Sequence, residues 1–284
     1  MRDDRPLVSF ALLDGAGETC SEYGARHEYY AASTIKLAVA AALLFAVEAG
    51  ELSLEQTVLS THTFRSRIPG TASFDISLDP RERDPGMPLV GTAVSLGWCL
   101  ERMITVSSNE ATNLIIETLG KPSPGGIRGL RAVRDACDRL GVPGVKVTRL
   151  ICDNAAKQAG YTHASSALDL ARLMFAVTNS DALASTSRNH LRRLLGAQRI
   201  PIIAQTIPEG VVWGSKSGWD EGIRHDVAFV GSPGSRAFRV LAICTEGYAS
   251  QGAEEIIRAL ARAALGVTQH SPFLDATPRP PALQ

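Results

Sequence analysis

The sequence predicts an α/β (α+β) protein, an antiparallel sheet flanked by helices and formed by both termini, with an inserted all-helical subdomain. Three observations predict it. A strand-like apolar run bounded by a turn stands near the N-terminus, the long middle carries apolar residues at helical spacing, and beyond residue 200 the spacing becomes alternating, in strands joined by glycine-rich turns.

Residues 7–13 read as a strand, Asp14-Gly15-Ala16-Gly17 as a turn, and part of 21–30 as a second strand. The most apolar stretch, 37–47, is a helix opened by Ser33-Thr34-Ile35-Lys36 and ended at Gly50. Residues 60–91, rich in Pro, Gly, Arg and Asp, predict a long surface excursion with little regular structure. Helices follow over 94–104 and 111–119, parted by the polar Ser107-Ser108-Asn109, and over 130–140 after Pro122-Ser123-Pro124-Gly125-Gly126. A polar loop, 148–163, leads to helices over 167–177 and about 188–195.

Beyond residue 200 the period becomes two. Strands over 211–217, 226–230 and 238–245 form a meander, a helix covers about 252–265, and Pro272, Pro278, Pro280 and Pro281 mark a loosely held tail. The chain therefore divides into an α/β subdomain of 1–30 plus 196–268, a helical subdomain of 31–195 and a Pro-rich tail of 269–284. It contains no internal repeat.

At 284 residues and 45% hydrophobic the chain can bury a large core, and its net charge of zero provides no basic field for nucleic acid or an anionic membrane. Five cysteines, odd in number and without a C-x-x-C pair, argue against disulfides and zinc; the six histidines lack ligand spacing. No metal or other cofactor is expected. The apolar run after Met1-Arg2-Asp3-Asp4-Arg5-Pro6 is broken by Asp14 and Gly15, too early for a signal peptide, and 37–47 is too short to span a bilayer. The expectation is a cytoplasmic protein, a monomer or weak homo-oligomer, with no nucleic-acid or membrane partner.

Chemistry concentrates in three places. Ser33 and Lys36 stand three residues apart at a helix start, where both face one side; an apolar wall makes a lysine give up its charge, so it can serve as base to the serine. Taken alone, the same residues read as an N-cap and a surface lysine. Ser107 and Glu110 fit a capping box for the helix that follows, a role compatible with chemistry. Lys216-Ser217-Gly218 ends a strand, where a small residue and then glycine leave room for a substrate along the strand edge.

Together, S-x-x-K on an apolar helix, S-x-N at a helix boundary and K-S-G on a late strand resemble the motif set of class A β-lactamases and penicillin-binding proteins. The segment from Met103 to Leu114, and Gly222 with His225-Asp226-Val227-Ala228, are similar to that family as well, and about residues 7–265 can be laid on its pattern. The resemblance implies a β-lactamase/transpeptidase-like fold and a serine hydrolase acting through an acyl-enzyme on a small-molecule amide, ester or β-lactam. It implies Ser33 as nucleophile, Lys36 as the group that takes its proton, Ser107 as relay to the leaving atom, and Asn109 as partner of the substrate's side-chain amide. Lys216 would supply positive potential beside Ser217 and Gly218, and the backbone N–H groups of Ser33 and Trp219 the oxyanion hole, worth about 3–4 kcal/mol per donor.

The pattern departs where deacylation is concerned. The family's E-x-x-L-N segment has no counterpart: residues 148–157 hold no glutamate. Asp153 is the nearest carboxylate, able to serve as a shorter-armed base with Asn154 placing the water, or simply as a loop or capping residue. Ser108 stands where the family carries aspartate, removing a buried charge that braces the helical subdomain. Arg224 lies close to where the family places an arginine that grips a substrate carboxylate, across a turn of different length. The alternatives are an intracellular esterase or transacylase of a small-molecule pathway, and a penicillin-binding module without turnover.

Overall fold

The two chain ends together build a five-stranded antiparallel sheet: β1 (Leu7–Leu13), β2 (Thr19–Tyr23), β3 (Trp213–Asp220), β4 (Ile223–Val230) and β5 (Arg239–Glu246). The order is β2-β1-β5-β4-β3, in a computed structural model that describes residues 5–120 and 123–266. The tail of 269–284 lies outside the described residues. β1 and β5 tie the two ends together, Leu7 opposite Glu246 and Leu13 opposite Val240. Alternation sorts the side chains into two cores, Leu13, Val227, Phe229 and Val240 on one face and Leu12, Ala228, Leu241 and Ile243 on the other.

The described residues form eight α-helices, α1 (Lys36–Glu48), α2 (Leu96–Thr105), α3 (Asn109–Leu119), α4 (Ile127–Arg139), α5 (Asn154–Gln158), α6 (Ala167–Asn179), α7 (Ser185–Gly196) and α8 (Ser250–Leu265), of which α6, α7 and α8 pack on the sheet. α8 lays Ile257, Ala261 and Leu265 on the second face, the isoleucine and leucine so removed from water contributing about 1.5–3 kcal/mol each. α6 covers the first face against β1, β4 and β5, and α7 packs on β3. These two helices lie within the span assigned from sequence to a helical subdomain, yet they bury sheet residues. Helical period shows that a face is apolar and not what covers it.

α1 is buried on all sides from Lys36 to Ala46, which makes it the axis of the helical region, surrounded by α2, α3, α4 and α6. It ends where Gly50 takes a φ of 71°, a left-handed conformation that glycine adopts without strain. No helix among the described residues is long and apolar enough to cross a membrane.

The 60–91 excursion is more ordered than its composition predicts. Thr57–Leu59 pairs with Ala93–Ser95, Thr63–Phe64 pairs with Phe74–Asp75, and Phe64 and Ile76 are buried. Polar anchors hold it: Ser66 Oγ and the Arg67 N–H donate to Asp153, and the Asp84 N–H donates to the buried Glu110 carboxylate, which also meets His62 Nδ1. Arg102 pairs with Asp84, its Nε 3.0 Å from Oδ2. Glycines and prolines shape this path, and a few buried side chains a long way apart in sequence fix it.

Candidate active site

Ser33 does not cap a helix. It lies in a 3₁₀ turn, Ala32–Ile35, and α1 begins after it at Lys36 with no side-chain cap bond. Ala32, the residue before it, holds a φ of 46°, a strained conformation for a residue with a Cβ. The turn aims the serine hydroxyl back over the first turn of α1, where Lys36 Nζ lies 3.1 Å from Ser33 Oγ. The same amine reaches Ser107 O at 2.6 Å, Ser107 Oγ at 3.2 Å and Asn109 Oδ1 at 2.7 Å. Complete burial pulls Lys36 down to about 8, with the Glu82 carboxylate the foremost charge opposing the fall. At pH 7 about one lysine in ten is then a neutral amine, able to accept a proton.

The capping box expected at Ser107 does not form, because the cap lies one residue later and Ala111, with no carboxylate, stands three residues after it. Ser108 is the N-cap of α3, its Oγ accepting the Ala111 N–H at 3.3 Å, while Ser107 stands outside the helix with a φ of 61°. That division frees the Ser107 hydroxyl for the lysines. Lys216 Nζ donates to it at 3.0 Å and to Ser217 O at 2.8 Å, so one hydroxyl bridges two buried amines. Burial and the neighbouring Lys36 charge hold Lys216 well below the usual lysine range. An anionic group arriving beside it would restore its charge. Glu110, two residues after Ser108, is fully buried, with its Oε2 3.5 Å from Ser108 Oγ.

β3 carries Lys216, Ser217, Gly218 and Trp219 past the nucleophile's turn. A Cβ on Gly218 would come within 3.1 Å of Thr34 Cγ2 and 3.2 Å of both Ala31 O and Ala32 Cβ. Glycine is needed there for the approach of the turn itself, where the sequence suggested room for substrate. Ser33, Ser107, Asn109, Ser217, Trp219 and Arg224 line one cavity of about 390 Å³. Arg224 reaches it beside the Trp219 ring, 6.0 Å away, and is held from behind by Glu254 of α8, its Nε 3.0 Å from Oε1.

Asp153 is placed apart from this group. It is fully buried, lines neither this cavity nor its neighbour, and its oxygens are taken by Ser66 Oγ (2.8 Å), the Arg67 N–H (3.0 Å) and the Ala156 N–H (3.1 Å). The last bond makes it the N-cap of α5, so the carboxylate serves as cap and loop anchor. Asn154 lines the neighbouring cavity, about 620 Å³ in volume.

The carboxylate found against the lysine cluster comes from the excursion. Asn109 Nδ2 donates to Glu82 Oε2 at 2.7 Å and to Glu82 O at 3.0 Å, which occupies both of its hydrogens, and Cys152 Sγ lies 3.4 Å from the same Oε2. Asn109 is thus turned toward Glu82 and Lys36, where the resemblance implied a bond to substrate. Spacing could not reveal Glu82, which sits 27 residues before its partner in a segment without period. Backbone strain points to the same centre: the non-glycine residues with positive φ among the described residues are Ala32, Ser107 and Cys152 (φ 64°), each beside a residue named above.

A model of the beta-lactamase enzyme family matches residues 7–268. A beta-lactamase from Sphaerobacter thermophilus DSM 20745 is 25% identical with a TM-score of 0.72, covering 93% of this chain and 92% of its own. PBP-A is similar at 21% identity and a TM-score of 0.72 over 93% and 91% of the two chains. The chromosome-encoded beta-lactamase of Vibrio parahaemolyticus matches at 17% identity and a TM-score of 0.74 over 94% and 95%.

Proposed function

Because the chain belongs to the beta-lactamase enzyme family, we propose that it is a serine hydrolase that forms an acyl-enzyme on Ser33 with a carboxylate-bearing amide, ester or β-lactam. The observation that carries this reading is the hydrogen-bonded run Ser33 Oγ, Lys36 Nζ, Ser107 Oγ, Lys216 Nζ, with links of 3.1, 3.2 and 3.0 Å. It is a path for one proton from nucleophile to leaving group.

In the neutral form Lys36 accepts the Ser33 proton as Oγ bonds to the acyl carbon. The oxyanion that develops is met by the backbone N–H groups of Ser33 and Trp219. As it collapses, the bond to the leaving nitrogen or oxygen breaks, Ser107 gives that atom its proton, and Lys36 replaces it. Lys36 is again neutral, so the step is closed in protons. Arg83 and Arg199 line the cavity with no acidic partner among the described residues, and with Arg224 they give that side of it positive potential for an anion.

The test is intact mass and β-lactam absorbance after mixing with a reactive penicillin. Native protein is expected to gain the mass of the drug, to consume it, or both, and Ser33→Ala to do neither. An adduct on Ser33→Ala, or inert native protein with several acyl donors, rejects the assignment.

A further inference from the structure

We infer that Glu82, carried in by the 60–91 excursion, is the base that activates the water releasing the acyl group from Ser33. The inference rests on the acyl-enzyme reading and extends it to the second half of the reaction.

Four acidic side chains stand near enough to be considered. Asp153 is fully buried and bonded through both oxygens to Ser66, Arg67 and Ala156. Glu110 is fully buried and takes the Asp84 N–H and His62. Asp84 is paired with Arg102. Glu82 differs from all three. It is partly exposed, lines the Ser33 cavity and the larger one beside it, and its carboxylate meets protein partners through Oε2. Among the described residues nothing bonds to its Oε1. A carboxylate oxygen with open lone pairs at the junction of two water-accessible cavities is where a general base must be.

The position is held rigidly. The Asp79 carbonyl accepts the Glu82 N–H at 3.0 Å, and Asp84, two residues on, is fixed by the Glu110 carboxylate and Arg102. The amide of Asn109 spans the gap to the amine that serves Ser33, Oδ1 on Lys36 and Nδ2 on Glu82. Nucleophile, amine and carboxylate are therefore set around one point, with Asn109 as the spacer.

The step balances without a co-reactant other than water. Glu82 takes one proton of the water, whose oxygen bonds to the acyl carbon. The carbon–Oγ bond then breaks with its electron pair left on Oγ. The proton held by Glu82 reaches Oγ through water in the cavity that Glu82 and Ser33 both line, and the attacking water's oxygen and second hydrogen leave in the carboxylic acid.

The experiment follows formation and clearance of the penicillin adduct by intact mass for native protein, Glu82→Gln and Glu82→Asp. Glutamine keeps the acceptor for Asn109 Nδ2 and removes the base. Glu82→Gln is expected to acylate no more slowly than native, because losing the carboxylate lets Lys36 fall further toward its neutral form, and to clear about 10²–10⁴-fold more slowly, with Glu82→Asp in between. Clearance of Glu82→Gln at the native rate overturns the inference, and so does equal slowing of both steps, which would make Glu82 a positioning residue for Asn109. A native adduct that never clears overturns it while leaving Ser33 as the nucleophile. Native protein that neither gains an adduct nor consumes the drug overturns both readings.

Discussion

Two adjacent serines divide chemistry from folding, and their alanine variants separate the two in one experiment. Ser108→Ala removes the cap of α3 and leaves the Ala111 N–H and one side of the buried Glu110 carboxylate without a partner. N-cap loss costs about 0.5–2 kcal/mol, which for a chain of this size lowers the melting temperature by about 1–4 °C. Ser107→Ala removes no cap. Lys36 keeps Ser33 Oγ, Ser107 O and Asn109 Oδ1, and Lys216 keeps Ser217 O, so neither buried amine is stranded. Its stability is expected within about 1 kcal/mol of native, while acylation slows by about 10²–10⁴-fold because the leaving atom loses its proton donor. Thermal unfolding and adduct formation with a penicillin, measured on both variants, give a crossed pattern. Acylation by Ser107→Ala within threefold of native, or slower acylation by Ser108→Ala than by Ser107→Ala, refutes the division.

Three further outcomes are expected. Burial sets Lys36 at about 8, and only its neutral form accepts a proton, so acylation rises about tenfold per pH unit below that value and levels above it; a flat profile from pH 6 to 9.5 rejects Lys36 as the base. Gly218→Ala places a Cβ 3.1 Å from Thr34 Cγ2, moves β3 away from the Ser33 turn, and lowers acylation at a stability cost of about 1–3 kcal/mol, read by mass and by thermal unfolding. Asp153→Asn loses one charged acceptor and sets an amide donor against the Arg67 N–H, lowering stability by about 1.5–3 kcal/mol; an unchanged urea midpoint would mean the carboxylate does not anchor the excursion.

The parts legible in the sequence are those whose partners lie within a turn or on the next strand. An apolar run closed by a turn placed β1, period two beyond residue 200 placed β4 and β5, helical spacing placed α1 to α3, and the three motifs marked Ser33, Lys36, Ser107 and Lys216, which lie together around one hydroxyl. Two readings shifted by a residue or changed their reason: the cap moved from Ser107 to Ser108, and Gly218 makes room for the serine's own turn. What could not be read depends on pairs far apart in sequence. Ser66 meets Asp153 across 87 residues, and Glu82 meets Cys152 across 70. No local propensity encodes such a pair, because its free energy comes from buried groups that find each other only once the rest of the chain is in place.

The two unreadable pairs bear on one another. Because Asp153 spends its carboxylate on Ser66, Arg67 and the α5 cap, it fixes the start of the excursion, and the Asp84–Arg102 and Asp84–Glu110 contacts fix its end. Glu82 lies between those anchors. The residue that sequence reasoning nominated as a base thus helps to hold in place the loop that delivers another carboxylate, and a segment that reads as surface loop closes the site around Ser33. The strain at Ala32, Ser107 and Cys152 is consistent with that arrangement, since each conformation costs on the order of 1–3 kcal/mol and persists only where the surrounding contacts over-determine it.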